Sequence, residues 1–104
     1  MDQSAIWFCK DLRWAERVVT LTSSPTQLVQ KNSLRVCVVL CGASKDYTVS
    51  SWAGMAFGRG FFVAKGTNAF LNMSECGGYV TAELFAAKSG GGSEDVTIIE
   101  VFRA

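Results

Sequence analysis

A chain of 104 residues that is 49% hydrophobic and only 18% charged carries more apolar surface than one small domain hides, since a fold this short buries only about two-thirds of what its unfolded chain exposes. A net charge of +1 excludes a strongly basic nucleic-acid binder, and the absence of histidine removes Ser-His-Asp and Cys-His catalysis together with mixed Cys/His zinc sets. These limits predict a single domain that shields its apolar excess against other chains.

No stretch approaches the roughly 18 apolar residues that span a bilayer, so no membrane partner is expected. Met1-Asp2-Gln3-Ser4 lacks the basic start of a secretory signal, which predicts synthesis in the cytoplasm. Cys9, Cys37, Cys41 and Cys76 form no CxxC pair and read as buried, reduced thiols. Cys37 and Cys41 fall on one face of a strand about 13 Å apart, too far to bond to each other.

Residues 1–15 differ in texture from the rest and are read as an N-terminal arm. Ile6, Trp7, Phe8, Leu12 and Trp14 alternate with Lys10, Asp11 and Arg13 in a pattern that could wind into a short helix, with Trp7 and Trp14 on one side. A helix this short needs packing to persist, either against its own core or against a neighbouring chain. Lys10, Arg13 and Arg17 are interleaved with Asp11 and Glu16, which marks a solvated mixed-charge stretch and not a phosphate site.

From Arg17 the period is two. Val19, Leu21 and Ser23 oppose Val18, Thr20 and Thr22 up to the turn at Ser23-Ser24-Pro25, and Thr26 to Gln30 is a second extended piece. Leu34 to Cys41 is the strongest strand, with Leu34, Val36, Val38 and Leu40 on one face and Arg35, Cys37, Val39 and Cys41 on the other. Both faces look covered. Tyr47 to Trp52 resumes the β-rich composition, and Ala53 to Gly60, with three glycines around Met55, Phe57 and Arg59, reads as a loop. Phe61 to Ala64 and Asn68 to Met73 are short strands joined through Lys65-Gly66-Thr67. A longer strand opens at Gly77-Gly78 and runs through Ala87.

After the flexible Ser89–Ser93 stretch, Asp95 to Arg103 is the last strand. Its inward set is either Val96, Ile98 and Glu100 or Thr97, Ile99 and Val101, with the second preferred. About seven short strands and no helix after residue 16 predict an all-β domain over residues 16–104, a single β-sandwich or jelly-roll-like barrel.

Candidate chemistry is sparse. Gly58-Arg59-Gly60-Phe61-Phe62-Val63 has the basic-Gly-aromatic flavour of an RNA-recognition motif, but its two aromatics are adjacent and the alternating helices of that fold are missing. The same glycines lack the third member of a dinucleotide fingerprint. Neither nucleic acid nor an enzyme activity is expected. Trp52, Phe57, Phe61 and Tyr79 could form an aromatic platform for a sugar ring, so a carbohydrate- or surface-binding module stands as the alternative reading.

The order of segments from Arg17 to Phe102 resembles small β-structured virion proteins of tailed bacteriophages, the head-spike base, decoration and minor structural proteins. Val18-Val19-Thr20-Leu21-Thr22 leads to Pro25-Thr26-Gln27-Leu28-Val29, then to Leu34-Arg35-Val36-Cys37-Val38-Val39-Leu40, a glycine-bearing middle and Val96-Thr97-Ile98-Ile99-Glu100-Val101-Phe102. Those proteins often carry an Asn-Pro-x-Arg turn before the third strand and an asparagine after it. Here Lys31-Asn32-Ser33-Leu34-Arg35 keeps the Asn and Arg without the proline, and Cys41-Gly42 replaces the asparagine.

The resemblance implies a noncatalytic scaffold in the virion: a symmetric homo-oligomer fixed to capsid or tail proteins, with no metal or cofactor. The expected partner contacts are Trp7, Phe8 and Trp14 in the arm, since buried aromatics dominate interface energy. Trp52, Met55, Phe57 and Arg59 in the irregular middle loop are the second group.

Overall fold

The computed structural model describes residues 12–72 and 80–103, and there the period-two pattern becomes eight strands. They are β1 (Leu12–Leu21), β2 (Thr26–Val29), β3 (Arg35–Leu40), β4 (Tyr47–Ser50), β5 (Phe61–Val63), β6 (Ala69–Asn72), β7 (Leu84–Lys88) and β8 (Glu94–Arg103). Every pairing is antiparallel. Sheet A has the order β1-β8-β3-β6 and sheet B the order β2-β7-β4-β5. The chain changes sheet at every connection except β4 to β5, which is the arrangement of an eight-stranded jelly roll. The fold is all-β, as expected, with eight strands in place of about seven.

Side chains from the two inner faces fill the space between the sheets. Leu21, Val38, Leu40, Leu71, Val96 and Ile98 come from sheet A and Leu28, Tyr47, Val49, Val63, Leu84 and Ala86 from sheet B, all buried in one cluster. Tyr47 keeps its phenol satisfied by donating to the carbonyl of Cys41 at 2.9 Å. At the end of the sandwich where β7 turns into β8, Lys88 is buried. Its ammonium donates to the carbonyls of Ser89, Gly90 and Gly91 at 3.2, 3.4 and 2.6 Å. The glycine-rich turn, flexible by composition, is wrapped around a cation.

Several expectations are corrected. Leu12 to Ala15 are not part of a separate or helical arm: they begin β1, whose ten residues pair without interruption with Arg103 back to Glu94. Residues 1–11, with Trp7, Phe8 and Cys9, lie outside the described residues, as do Cys76 and the expected strand start at Gly77-Gly78. Val80 is helical and not extended, and residues 81–83 form no strand. The carbonyls of 80–82 point away from any ladder: Thr81 accepts from the Asn32 amide at 2.9 Å, while Val80 and Ala82 accept from Arg35.

The inward set of β8 is Val96, Ile98 and Glu100, the set not preferred from sequence. On β3, Arg35 opposes Phe102 while Cys37 opposes Val101, so Val36 is an extra residue in a β-bulge. The bulge reverses the alternation and puts Arg35 on the same inner face as Val38 and Leu40. Arg35 is 0% exposed, and Glu100 lies beside it. Each charge is tolerable there because the other is present. Cys37 and Cys41 are half-buried and not, as expected, enclosed.

Candidate functional site

The inner polar cluster has little capacity for chemistry. Arg35 donates from Nε to the Val80 carbonyl at 2.7 Å, from Nη1 to the Gln30 carbonyl at 2.8 Å and to Glu100 Oε2 at 2.9 Å, and from Nη2 to the Ala82 carbonyl at 2.5 Å. Burial pulls its guanidinium below the usual range, and the hydrogen bond and charge of Glu100 oppose that pull. The second carboxylate oxygen, Oε1, lies 3.0 Å from Nη2 of the half-exposed Arg17 as an ion pair without hydrogen-bond alignment. A guanidinium fork filled by three backbone carbonyls ties β3 to the β2–β3 turn and to the segment before β7. It holds a framework together.

The surface is different. With Val96, Ile98 and Glu100 turned inward, the outward residues of sheet A are fixed by register. Glu16 opposes Ile99, Ile99 opposes Val39 and Val39 opposes Phe70, one row crossing all four strands. The adjacent row is Trp14, Val101, Cys37 and Asn72, and Val18 beside Thr97 extends the face on β1. Trp14 is 71% exposed, Val18 64% and Phe70 59%. Trp14, Ala15, Glu16 and Ile99 line a shallow depression of about 280 Å³ on this face. Between these open side chains Cys37, Val39 and Ile99 are half-buried and Val101 is buried, and exposed apolar side chains grouped on one face in this way mark contact surfaces.

A second apolar group surrounds the β4–β5 loop. Trp52 is 64% exposed, and its indole lies over the backbone of Gly54, where a Cβ would sit 2.8 Å from the ring. Phe57, Phe61 and Phe62 are also exposed. The amide of Gly58 donates to Thr48 Oγ1 at 3.2 Å, which lays the loop on the outer face of β4. That placement accounts for Thr48 and Ala87 being buried on this face and for Met55, at 2% exposure, being buried outside the main core.

Of the expected contact residues, Trp14, Trp52, Phe57 and Arg59 are therefore accessible. Met55 is not: it is the plug that seats the loop, and its assignment to the contact group is withdrawn. Trp7 and Phe8 lie outside the described residues. Trp14 and the Trp52 loop belong to different sheets and do not form one site. Sequence reading missed Val18, Val39, Phe70, Ile99 and Phe62 as surface. The available signal was that β3 and β8 carry apolar residues on both faces, whereas only one face of each can line the core.

No family model and no curated protein matches the chain.

Proposed function

We propose that the chain is a noncatalytic structural subunit of a tailed-bacteriophage virion, which assembles with copies of itself and attaches to capsid or tail proteins through the outer face of sheet A. The observation that carries this reading is the outer face of sheet A, where two adjacent cross-strand rows place Ile99, Val39 and Phe70 beside Trp14, Val101 and Cys37 and leave Trp14 on β1 and Phe70 on β6 largely exposed at opposite edges. Jelly rolls serve both as capsid components and as lectins, so the fold alone favours neither reading, and the exposed apolar face of sheet A supports the first. The resemblance of the strand order to small virion proteins supplies the particle. Trp7 and Phe8 are assigned to the same attachment.

The test is co-sedimentation with phage particles. Phe70→Lys and Trp14→Lys should each abolish attachment while leaving the circular dichroism spectrum unchanged; retention of attachment by both variants overturns the reading. The carbohydrate-module alternative draws on one observation, the open Trp52 indole over Gly54. It requires a monomer that binds immobilised glycan and loses that binding on Trp52→Ala.

A further inference from the structure

Of the four sheet edges, three are short. β2 has four residues and a register shift, β5 has three residues and β6 has four. β1 is an edge strand of ten residues whose register with β8 is unbroken. From Arg13 to Val18 every residue is exposed, on both faces of the strand. Edges are normally blunted by shortness, bulges, proline or lysine, or by a charge pointing inward. β1 has no bulge or proline; its charges are Glu16 on the outer face and Arg13 and Arg17 on the inward parity, and Arg17 is turned onto Glu100. Among the described residues nothing pairs with its free side.

We infer that this edge is a self-association surface, where β1 of a second copy adds antiparallel to β1 and fuses two A sheets into one eight-stranded sheet across a two-fold axis. A second copy is the occupant that matches the edge in length, since pairing with β2, β5 or β6 would leave most of a ten-residue strand unpaired. Antiparallel partners share a face, so the register must join residues of equal parity. The register that sets Trp14 opposite Val18 of the second copy covers both exposed apolar side chains of the strand. It pairs residues 12–20 with 20–12 and places Glu16 opposite Glu16 on the axis. Such a contact is isologous and closes at two subunits. The inference rests on the reading above only in taking the chain for a self-assembling subunit; it assigns a strand edge, whereas particle attachment uses the sheet face.

Sedimentation velocity of the full chain and amide exchange by NMR test it. The wild-type protein should sediment as a dimer, and alternate amides between residues 13 and 19 should gain protection as concentration rises. Val18→Lys should give a folded monomer, and Phe70→Lys, three strands away on the same face, should leave the dimer intact. Glu16→Gln should tighten the dimer by about two- to five-fold, because like charges directly opposite one another repel. A wild-type monomer at all concentrations overturns the inference, as does a dimer that Phe70→Lys dissolves without protection of β1 amides. Trp14 borders both surfaces, so the two are separated by Val18→Lys, read as loss of the dimer, and Phe70→Lys, read as loss of particle attachment.

Discussion

Arg35 and Glu100, 65 residues apart in the chain, meet at 2.9 Å in the interior of the sandwich. Their ion pair is one part of a larger arrangement, because the same guanidinium also holds the carbonyls of Gln30, Val80 and Ala82. Removing Arg35 strands a buried carboxylate, the buried Val80 carbonyl and two part-buried carbonyls together. Arg35→Leu should therefore cost about 3–5 kcal/mol or prevent folding altogether. A pure ion pair can be replaced by two apolar residues at little cost, whereas the double change Arg35→Leu, Glu100→Leu should remain well below wild type because the carbonyls stay unpaired. Urea denaturation of the single and double variants measures this.

The same pair shows where sequence reading stopped. Alternation from Arg17 locates the second half of β1 and the apolar run Leu34 to Cys41 locates β3, whereas β7 is a strand only from Leu84; strand count and turn spacing point to a sandwich or jelly-roll-like barrel. Registers were a different matter. In β8 the two candidate sets are nearly equal in apolar content, and Glu100 alone argued against its own side. On β3 the bulge at Val36 moved Arg35 across the sheet. Neither buried charge is credible without the other, and nothing local in either strand announces a partner so distant. Asn32 and Arg35, either side of the turn into β3, both have structural roles. Asn32 Oδ1 accepts from the Leu34 amide at 2.9 Å, and the Asn32 backbone amide donates to the Thr81 carbonyl.

Acid should weaken the β3–β4 end of the sandwich through Glu94. The backbone amide of Ser44, then its hydroxyl, hydrogen-bonds this carboxylate and holds it below its ordinary value of 4.5. A depressed folded-state value means that the contribution is present above pH 4.5 and is lost as the pH falls through the folded-state value. The urea midpoint of Glu94→Gln should lie below that of wild type at neutral pH. The gap should close as the pH is lowered past the carboxylate range, and a gap independent of pH would refute the linkage.

Base should act through Tyr47 with the opposite sign. Burial, with a lesser effect from Cys41, pushes its phenol above the ordinary value of 10.0. A raised folded-state value leaves stability unaffected below about pH 10 and erodes it as the pH climbs toward the folded-state value, because the unfolded chain ionises first. Tyr47→Phe should lose the hydrogen bond to Cys41, lowering stability at neutral pH, and should also lose part of the alkaline decline. Thermal melts from pH 8 to 11 on both proteins read the two slopes.

Gly60 starts the turn into β5 with φ of +93°, and a Cβ there would collide with the Val49 carbonyl oxygen. Both the conformation and the space exclude a side chain. Gly60→Ala should destabilise by more than about 1 kcal/mol, whereas Gly58→Ala, also at positive φ but with open space around it, should cost less. Melting temperatures of the two variants decide the order.

The β4–β5 loop separates a residue that builds a surface from those that present it. Met55 is enclosed and Trp52 is open, although two residues separate them and the Met55 amide donates to the Trp52 carbonyl at 3.1 Å. Removing the enclosed side chain empties a packed space beneath the loop, so Met55→Ala should cost about 2 kcal/mol or more. It should also alter the fluorescence of Trp52 as the indole loses its seat over Gly54. Truncating the open one removes little packing, so Trp52→Ala should change stability by no more than about 0.5 kcal/mol. If this loop contacts a partner, that contact should fail in both variants, but only Met55→Ala should also lower the urea midpoint. Equal stability losses in the two variants would mean that the indole, too, is part of the scaffold.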